Sequence, residues 1–210
     1  MHYQARPRRL LGSTTWLCLM FLGSSASLPA PAHGETRPGF ALLDTTGAAH
    51  RDAEWESARA VVLFFVTTDC PLSNGYVPEM NRIAAEFGPR GVRVYAVLAD
   101  PDLPRDEATR HARDFDYRFP VLFDPRQILA RHVRATVTPE AAILTPAGGL
   151  LYLGRIDNSV ERLGTKRFRP TVLDLRDALE AVLTGRPLSR PSTKAFGCAI
   201  TYSSHKEPGQ

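Results

Sequence analysis

Two predominantly apolar runs frame this chain. Residues 61–66 read VVLFFV and residues 92–99 read VRVYAVLA. Neither alternates cleanly with polar residues, so each predicts a strand buried on both faces. Between them Tyr76, Met80, Ile83, Ala84 and Phe87 recur at helical spacing, and Gly88-Pro89 closes the pattern. Strand, helix and strand in this order predict a right-handed crossover with the two strands parallel. Pro78 lies inside the helix and is expected to kink it.

The flanking segments complete the pattern. Residues 40–43 read as a short strand, and Asp44-Thr45-Thr46-Gly47 as the turn of an opening hairpin. Residues 105–115 predict a polar helix with His111 in solvent, and residues 119–125 a short apolar element. Residues 127–134 predict another helix, with His132 on its face. Residues 141–144 and 150–154 flank the turn Pro146-Ala147-Gly148-Gly149 and predict an antiparallel hairpin. Arg155 and Asp157 are expected to pair or to be solvated, and residues 159–170 to be irregular. Val172, Leu175, Leu179, Val182 and Leu183 then share one helical face, with Thr171 as the expected cap, Asp174 three residues on, and Gly185 as the stop. The fold class is α/β, a central mixed β-sheet flanked by helices with an N-terminal β-hairpin.

The turn after the first central strand carries the chemistry. Thr67-Thr68-Asp69 leads into Cys70, and Pro71 follows directly. Proline suits the first helical position, so Cys70 is predicted at a helix N-cap. There the unpaired backbone N–H groups and the helix dipole favour a thiolate. Asp69 opposes this through its charge, or caps the helix. The competing reading of Cys70 is an inert buried cysteine.

This segment resembles the active site of the thioredoxin-like superfamily, on its redoxin or alkyl hydroperoxide reductase–thiol-specific antioxidant (peroxiredoxin-like) branch. Thr67, three residues before Cys70, is similar to the threonine of the peroxiredoxin signature. Pro78, eight residues after Cys70, is similar to the helix proline of periplasmic members. Val137-Thr138-Pro139-Glu140 resembles the family's cis-proline loop. The resemblance spans residues 39–185 and implies a thioredoxin-like fold with Cys70 as nucleophile and Thr67 positioning it. Thr138, Pro139 and Ser73 would line the substrate site, and a peptide substrate could pair beside Pro139 as an added strand. No metal or organic cofactor is implied. Ser73 stands where a thioredoxin has its second cysteine, and a hydroxyl cannot resolve a mixed disulfide. The signature proline falls at Leu63, and the activating arginine falls near Pro139, leaving Arg134 or Arg155 as candidate substitutes.

Composition adds a location. The chain has 210 residues, 43% hydrophobic and 23% charged, which suits one globular domain with extensions. Of its net charge of +4, Arg6, Arg8 and Arg9 supply three. The basic balance therefore gives no case for nucleic acid. Residues 1–34 read as a signal peptide, with that basic start, an apolar stretch at 16–22 and an Ala30-Pro31-Ala32 cleavage site. Cys18 lies within it. The domain is expected at 35–185, in a bacterial periplasm or secreted, with membrane attachment only if the signal stays uncleaved.

A tail, residues 186–210, carries Cys198. Residues 186–194 are expected to be extended and 201–210 disordered, and His205 has no partner at metal-ligand spacing. The apolar stretch 195–200 around Cys198 suggests docking that brings Cys198 to Cys70; the alternative is a free cysteine on a mobile tail. The resulting reading is an exported thiol-dependent oxidoreductase in which Cys70 attacks a peroxide or a protein disulfide, Cys198 resolves the product, and an external thiol donor reduces the pair. Thr67 and the absence of a cysteine at position 73 favour peroxide; Pro139 and the missing arginine favour disulfide exchange. The rival is a non-catalytic redoxin-fold binding module with a permanent Cys70–Cys198 disulfide. A copper-handling role lacks the two close cysteines and histidine it needs.

Overall fold

The computed structural model describes residues 2, 37–162 and 165–204, with the backbone alone at 161, 162 and 166. The chain divides into a unit Met1–Ala30 and a unit Pro31–Gln210. Apart from residue 2, the expected signal segment lies outside the described residues, as do His205 and the rest of 205–210. No helix among the described residues is long and apolar enough to cross a membrane.

The order of elements follows the polar–apolar pattern. β1 (Ala41–Leu43) and β2 (Ala49–Arg51) form the opening antiparallel hairpin, and a 3-10 turn (Asp52–Ser57) buries Trp55. β3 (Ala60–Val66), α1 (Pro71–Phe87) and β4 (Val92–Leu98) make the crossover unit. α2 (Arg105–Asp114), β5 (Val121–Phe123) and α3 (Ile128–Val133) follow. β6 (Val137–Thr138), β7 (Glu140–Leu144) and β8 (Leu150–Gly154) come next. β9 (Val160–Arg162), β10 (Thr165–Lys166), α4 (Asp174–Leu183) and β11 (Cys198–Ala199) complete the described chain.

Five strands form the main sheet in the order β5-β4-β3-β7-β8. β3 is its centre, parallel to β4 and antiparallel to β7. Every residue of β3 is buried, because both faces of the sheet are covered. Val62, Phe64 and Val66 pack with Met80, Ile83 and Phe87 of α1 and with Leu175 and Leu179 of α4. Val61, Leu63 and Phe65 pack on the other face with Trp55 and with Leu129 and Val133 of α3. Truncating Phe64 to alanine would cost about 3–5 kcal/mol. A strand pinned on both faces fixes the position of the turn at its C-terminal end, where Cys70 lies.

Four expectations change. His111 is not in solvent but 7% exposed, because Ala108 and Ala112 on the same face of α2 are small enough to bring the helix against the core. β9 and β10 pair antiparallel, Thr165 opposite Arg162 and Lys166 opposite Val160, where irregular chain was expected. Thr171 does not cap α4: its N–H and hydroxyl are held by Asn158, and the helix starts at Asp174. Thr201, Tyr202 and Ser203 are hydrogen-bonded to the domain rather than disordered. Arg155 and Asp157 also serve separate partners. Arg155 binds Asp174 across 2.7 Å, and Asp157 accepts the Tyr76 hydroxyl across 2.6 Å.

Candidate functional site

β3 ends at Val66, and the chain crosses three polar residues before α1 begins. Cys70 is the N-cap of α1 with extended backbone, and Pro71 occupies the first turn. α1 runs on through Pro78 to Phe87. Cys70 is 0% exposed. The strand-to-helix transition therefore seats the sulfur beneath the surface, against the N-terminal turn.

The tail meets the site from the opposite side. β11 pairs antiparallel with β6, Cys198 opposite Thr138 and Ala199 opposite Val137. Cys198 Sγ lies 2.8 Å from Cys70 Sγ, both as free thiols, with Cys198 exposed and Cys70 buried. As a thiol, Cys70 donates to Thr138 O across 3.3 Å. Thr138 is buried, the Thr138–Pro139 bond is cis, and the Thr138 hydroxyl donates to Cys198 O across 3.5 Å.

The electrostatics separate the two sulfurs. Burial by itself pushes the Cys70 pKa up; the Cys198 thiol, the Ser73 backbone N–H, the Cys198 backbone N–H and the Ser73 hydroxyl outweigh it and hold the pKa below that of an ordinary thiol. The Cys198 pKa is pushed up to about 11, first by its bond to Cys70, then by burial and by the negative charge of Asp69. The two shifts run in opposite directions, Cys70 toward the thiolate and Cys198 toward the thiol, with Cys198 as the donor between the two sulfurs. Ser73 is buried, and its hydroxyl has no ordinary hydrogen-bond partner among the described groups. Its O–H is free to turn toward the Cys70 sulfur.

Thr67 does not meet the sulfur through its hydroxyl, which donates to Asp69 across 2.9 Å. This bond engages Asp69, so Asp69 shapes the turn rather than capping α1. Arg155 is held by Asp174. Arg134 is exposed, at the left-handed end of α3. His132 bonds Gly148 O, away from the site. A groove of about 910 Å³ runs along α1 and the open edge of β4, past Asn81, Ala84 and Val94, and Cys70 does not line it. Among the described residues no group of three or more His, Cys, Asp or Glu could hold a metal ion.

Sequence reasoning missed four residues that build the site. Gln127 is fully buried; its amide donates to Ala99 O and Thr201 O, and its carbonyl accepts the Ser203 N–H. It clasps the tail, and nothing in the sequence distinguished it from a surface glutamine. His111 and Asn74 brace the turn below Cys70; the spacing Ala108, His111, Ala112, Phe115 is a helical stripe that could have signalled the burial. Gly197 abuts the Thr138 carbonyl, and a glycine directly before a cysteine signals such close backbone approach.

Comparison with known proteins agrees with this geometry. The chain is 31% identical over 96 residues to the thiol-disulfide oxidoreductase ResA of Geobacillus kaustophilus, covering 45% of this chain and 53% of ResA. It thus spans about half the length of that curated relative. An uncharacterized conserved protein of Geobacillus kaustophilus superposes with a TM-score of 0.71 at 26% identity, over 85% of this chain and 99% of that one. A hypothetical protein of Sinorhizobium meliloti 1021 does so with a TM-score of 0.69 at 25% identity, over 81% and 94%. The profile of the AhpC/TSA family matches residues 33–152, more than half of the chain and including both the Cys70 turn and the cis-proline loop. With the helix-capping cysteine and the thioredoxin-like sheet already in place, the conclusion is that this chain belongs to the AhpC/TSA family.

Proposed function

We propose that this protein is an exported thiol-dependent oxidoreductase that cycles between a Cys70/Cys198 dithiol and a Cys70–Cys198 disulfide. The observation that carries this reading is the 2.8 Å separation of the two sulfurs, with Cys70 shifted toward thiolate and Cys198 away from it. The thiolate is the nucleophile in exchange and peroxide chemistry alike.

With a hydroperoxide, the Cys70 thiolate attacks the terminal oxygen and the O–O bond breaks. The departing alkoxide or hydroxide takes the proton of Cys198. The Cys198 thiolate then attacks the Cys70 sulfenic acid, forms the S–S bond and releases hydroxide. With a disulfide, Cys70 forms a mixed disulfide and Cys198 displaces the substrate's thiol. A dithiol donor completes the cycle: one thiolate attacks Cys198, the exposed sulfur, Cys70 departs as the better leaving group, and the donor's second thiol then displaces Cys198 and carries off the disulfide. Residues 1–34, with a basic start, an apolar stretch and an A-x-A site, support export.

The test is thiol mapping of the reduced protein after one equivalent of hydrogen peroxide or of the acyclic disulfide dithionitrobenzoate. The expected product is the Cys70–Cys198 disulfide, with Cys198→Ser stopping at an oxidised or adducted Cys70 and Cys70→Ser inert. The reduction potential of the pair is expected above about −250 mV. A disulfide more stable than about −300 mV would make the pair a permanent structural bond and overturn the proposal.

A further inference from the structure

The stretch 195–200 occupies the edge of β6 and brings more than a second thiol. Cys198 and Ala199 take the ladder positions opposite Thr138 and Val137, and the Ile200 N–H donates to Thr136 O across 3.0 Å. These are the backbone groups beside Cys70 that an incoming extended polypeptide would have to pair with.

Close approach explains why this segment fits. A Cβ built on Gly197 would lie 1.9 Å from Thr138 O and 2.6 Å from Thr138 C. The obstacle is backbone, so it cannot swing aside, and only glycine passes here. Both ends of the segment are anchored. On one side Thr193 N donates to Leu153 O and its hydroxyl meets the Tyr152 hydroxyl across 2.7 Å. On the other, Gln127 holds Thr201 and Ser203, and the Tyr202 hydroxyl donates to Ala135 O across 2.6 Å. The segment between is a strap over a fully buried Cys70.

We infer that the docked tail makes the site selective for small oxidants against polypeptide disulfides, and that Gly197 is the residue that sets this selectivity. The inference rests on Cys70 being the nucleophile. A small oxidant needs only a local shift of the Gly197–Cys198 loop to reach the sulfur. A polypeptide disulfide needs the whole strand removed from β6, and an anchor at one end released.

The experiment compares single-turnover loss of the Cys70 thiol in the wild-type protein, in Gly197→Val, and in a chain ending at Lys194. The oxidants are hydrogen peroxide and a symmetric disulfide of a nine-residue unstructured peptide. In the peptide reaction the Cys70 thiolate attacks one sulfur, the S–S bond breaks, and one arm leaves as a thiolate that takes a proton from water. The peptide reaction is expected to rise by about tenfold or more in both variants, because apparent affinity scales with the fraction of chains whose edge is open. The peroxide reaction should stay level or slow, since the variants also lose the Cys198 thiol from beside Cys70. Equal peptide rates in all three proteins, or peptide and peroxide rates that rise together, would overturn the selectivity while leaving Cys70 as nucleophile. A Cys70 that reacts with neither oxidant even in the truncated chain would instead overturn the proposed function, and the inference with it.

Discussion

Asn74 ties His111 to the turn that carries Cys70. His111 Nε2 lies 2.8 Å from Asn74 Oδ1, and Asn74 Nδ2 donates to Thr68 O across 3.0 Å. Because the amide nitrogen is committed to Thr68, Asn74 Oδ1 must accept, and Nε2 must carry the proton. His111 Nδ1 is then a buried, unpartnered acceptor. A second proton there would be a buried N–H with nowhere to donate. Burial accordingly lowers the His111 pKa, and the nearby carboxylates of Asp114 and Glu107 only partly offset it.

The consequence for stability has a definite sign. The unfolded chain binds this proton more readily than the folded one, so stability is lost as pH falls below about 6.5, the ordinary histidine pKa. In denaturant titrations at pH 7.5 and pH 5, His111→Gln is expected to flatten the loss seen for the wild type. Gln can still donate to Asn74, so the Cys70 turn should survive. An unchanged pH slope in the variant would mean that His111 is not the group responsible.

The second prediction concerns the two sulfurs. The Cys198 thiol is the largest influence that lowers the Cys70 pKa. Cys198→Ala should therefore move the pH midpoint for alkylation of Cys70 upward. Cys198→Ser should move it less, because a hydroxyl still donates a hydrogen bond. Ser73→Ala should also raise it, by a smaller step, since its hydroxyl lowers the pKa less than the Cys198 thiol does. The rate of alkylation of Cys70 against pH, read on the Cys70 peptide by mass spectrometry in each protein, measures each midpoint. A Cys198→Ala midpoint at or below the wild-type value would remove the basis for a shared proton.

How much of this was legible in the sequence depends on whether a residue's surroundings are local. The all-buried β3, the crossover to β4 and the Cys70–Pro71 helix start were legible because each is written in a short stretch of chain. So was the apolar stretch around Cys198. His111, Thr171 and the 201–203 segment were misread because their partners, Asn74, Asn158 and Gln127, are distant in sequence. A polar residue reads as solvent-facing until the element that covers it is known. The hydroxyl of Thr67 was assigned by resemblance to the sulfur, whereas its neighbour Asp69 is the acceptor it meets.

A third prediction tests how α4 is secured. Asp174 stands at the first turn of α4, nearly buried, with Arg155 at 2.7 Å and Arg190 at 2.9 Å. It answers both arginines and the positive end of the helix dipole. Removing one partner of such a pair is costly because the other charge is left desolvated. Asp174→Ala is expected to lower unfolding free energy by about 1–3 kcal/mol, below the range for a fully buried pair, since Arg155 and the exposed Arg190 keep contact with water. Asp174→Asn should recover part of this through hydrogen bonding. A loss within a few tenths of a kcal/mol would mean that solvent replaces the carboxylate without difficulty.

Gln127 offers the sharpest separation of tail docking from cysteine chemistry. It touches neither sulfur, yet its amide holds Thr201 across 2.7 Å and its carbonyl receives the Ser203 N–H across 2.9 Å. Arg131 adds a bond to Ser203 O and stacks on the Tyr202 ring at 4.9 Å. Gln127→Ala removes the amide contacts and also leaves Ala99 O without its donor, at a cost of about 1–3 kcal/mol. Tail and domain would then part more often. Limited proteolysis should cleave sooner within residues 186–194, and Cys70–Cys198 disulfide formation after peroxide should slow. Alkylation of Cys70, buried beneath the strap in the wild type, should become faster at a pH where the thiol is fully ionised. If proteolysis accelerates while disulfide formation keeps its wild-type rate, the clasp at 201–203 and the strand at Cys198–Ala199 are independent, and the ladder with β6 alone brings the two sulfurs together.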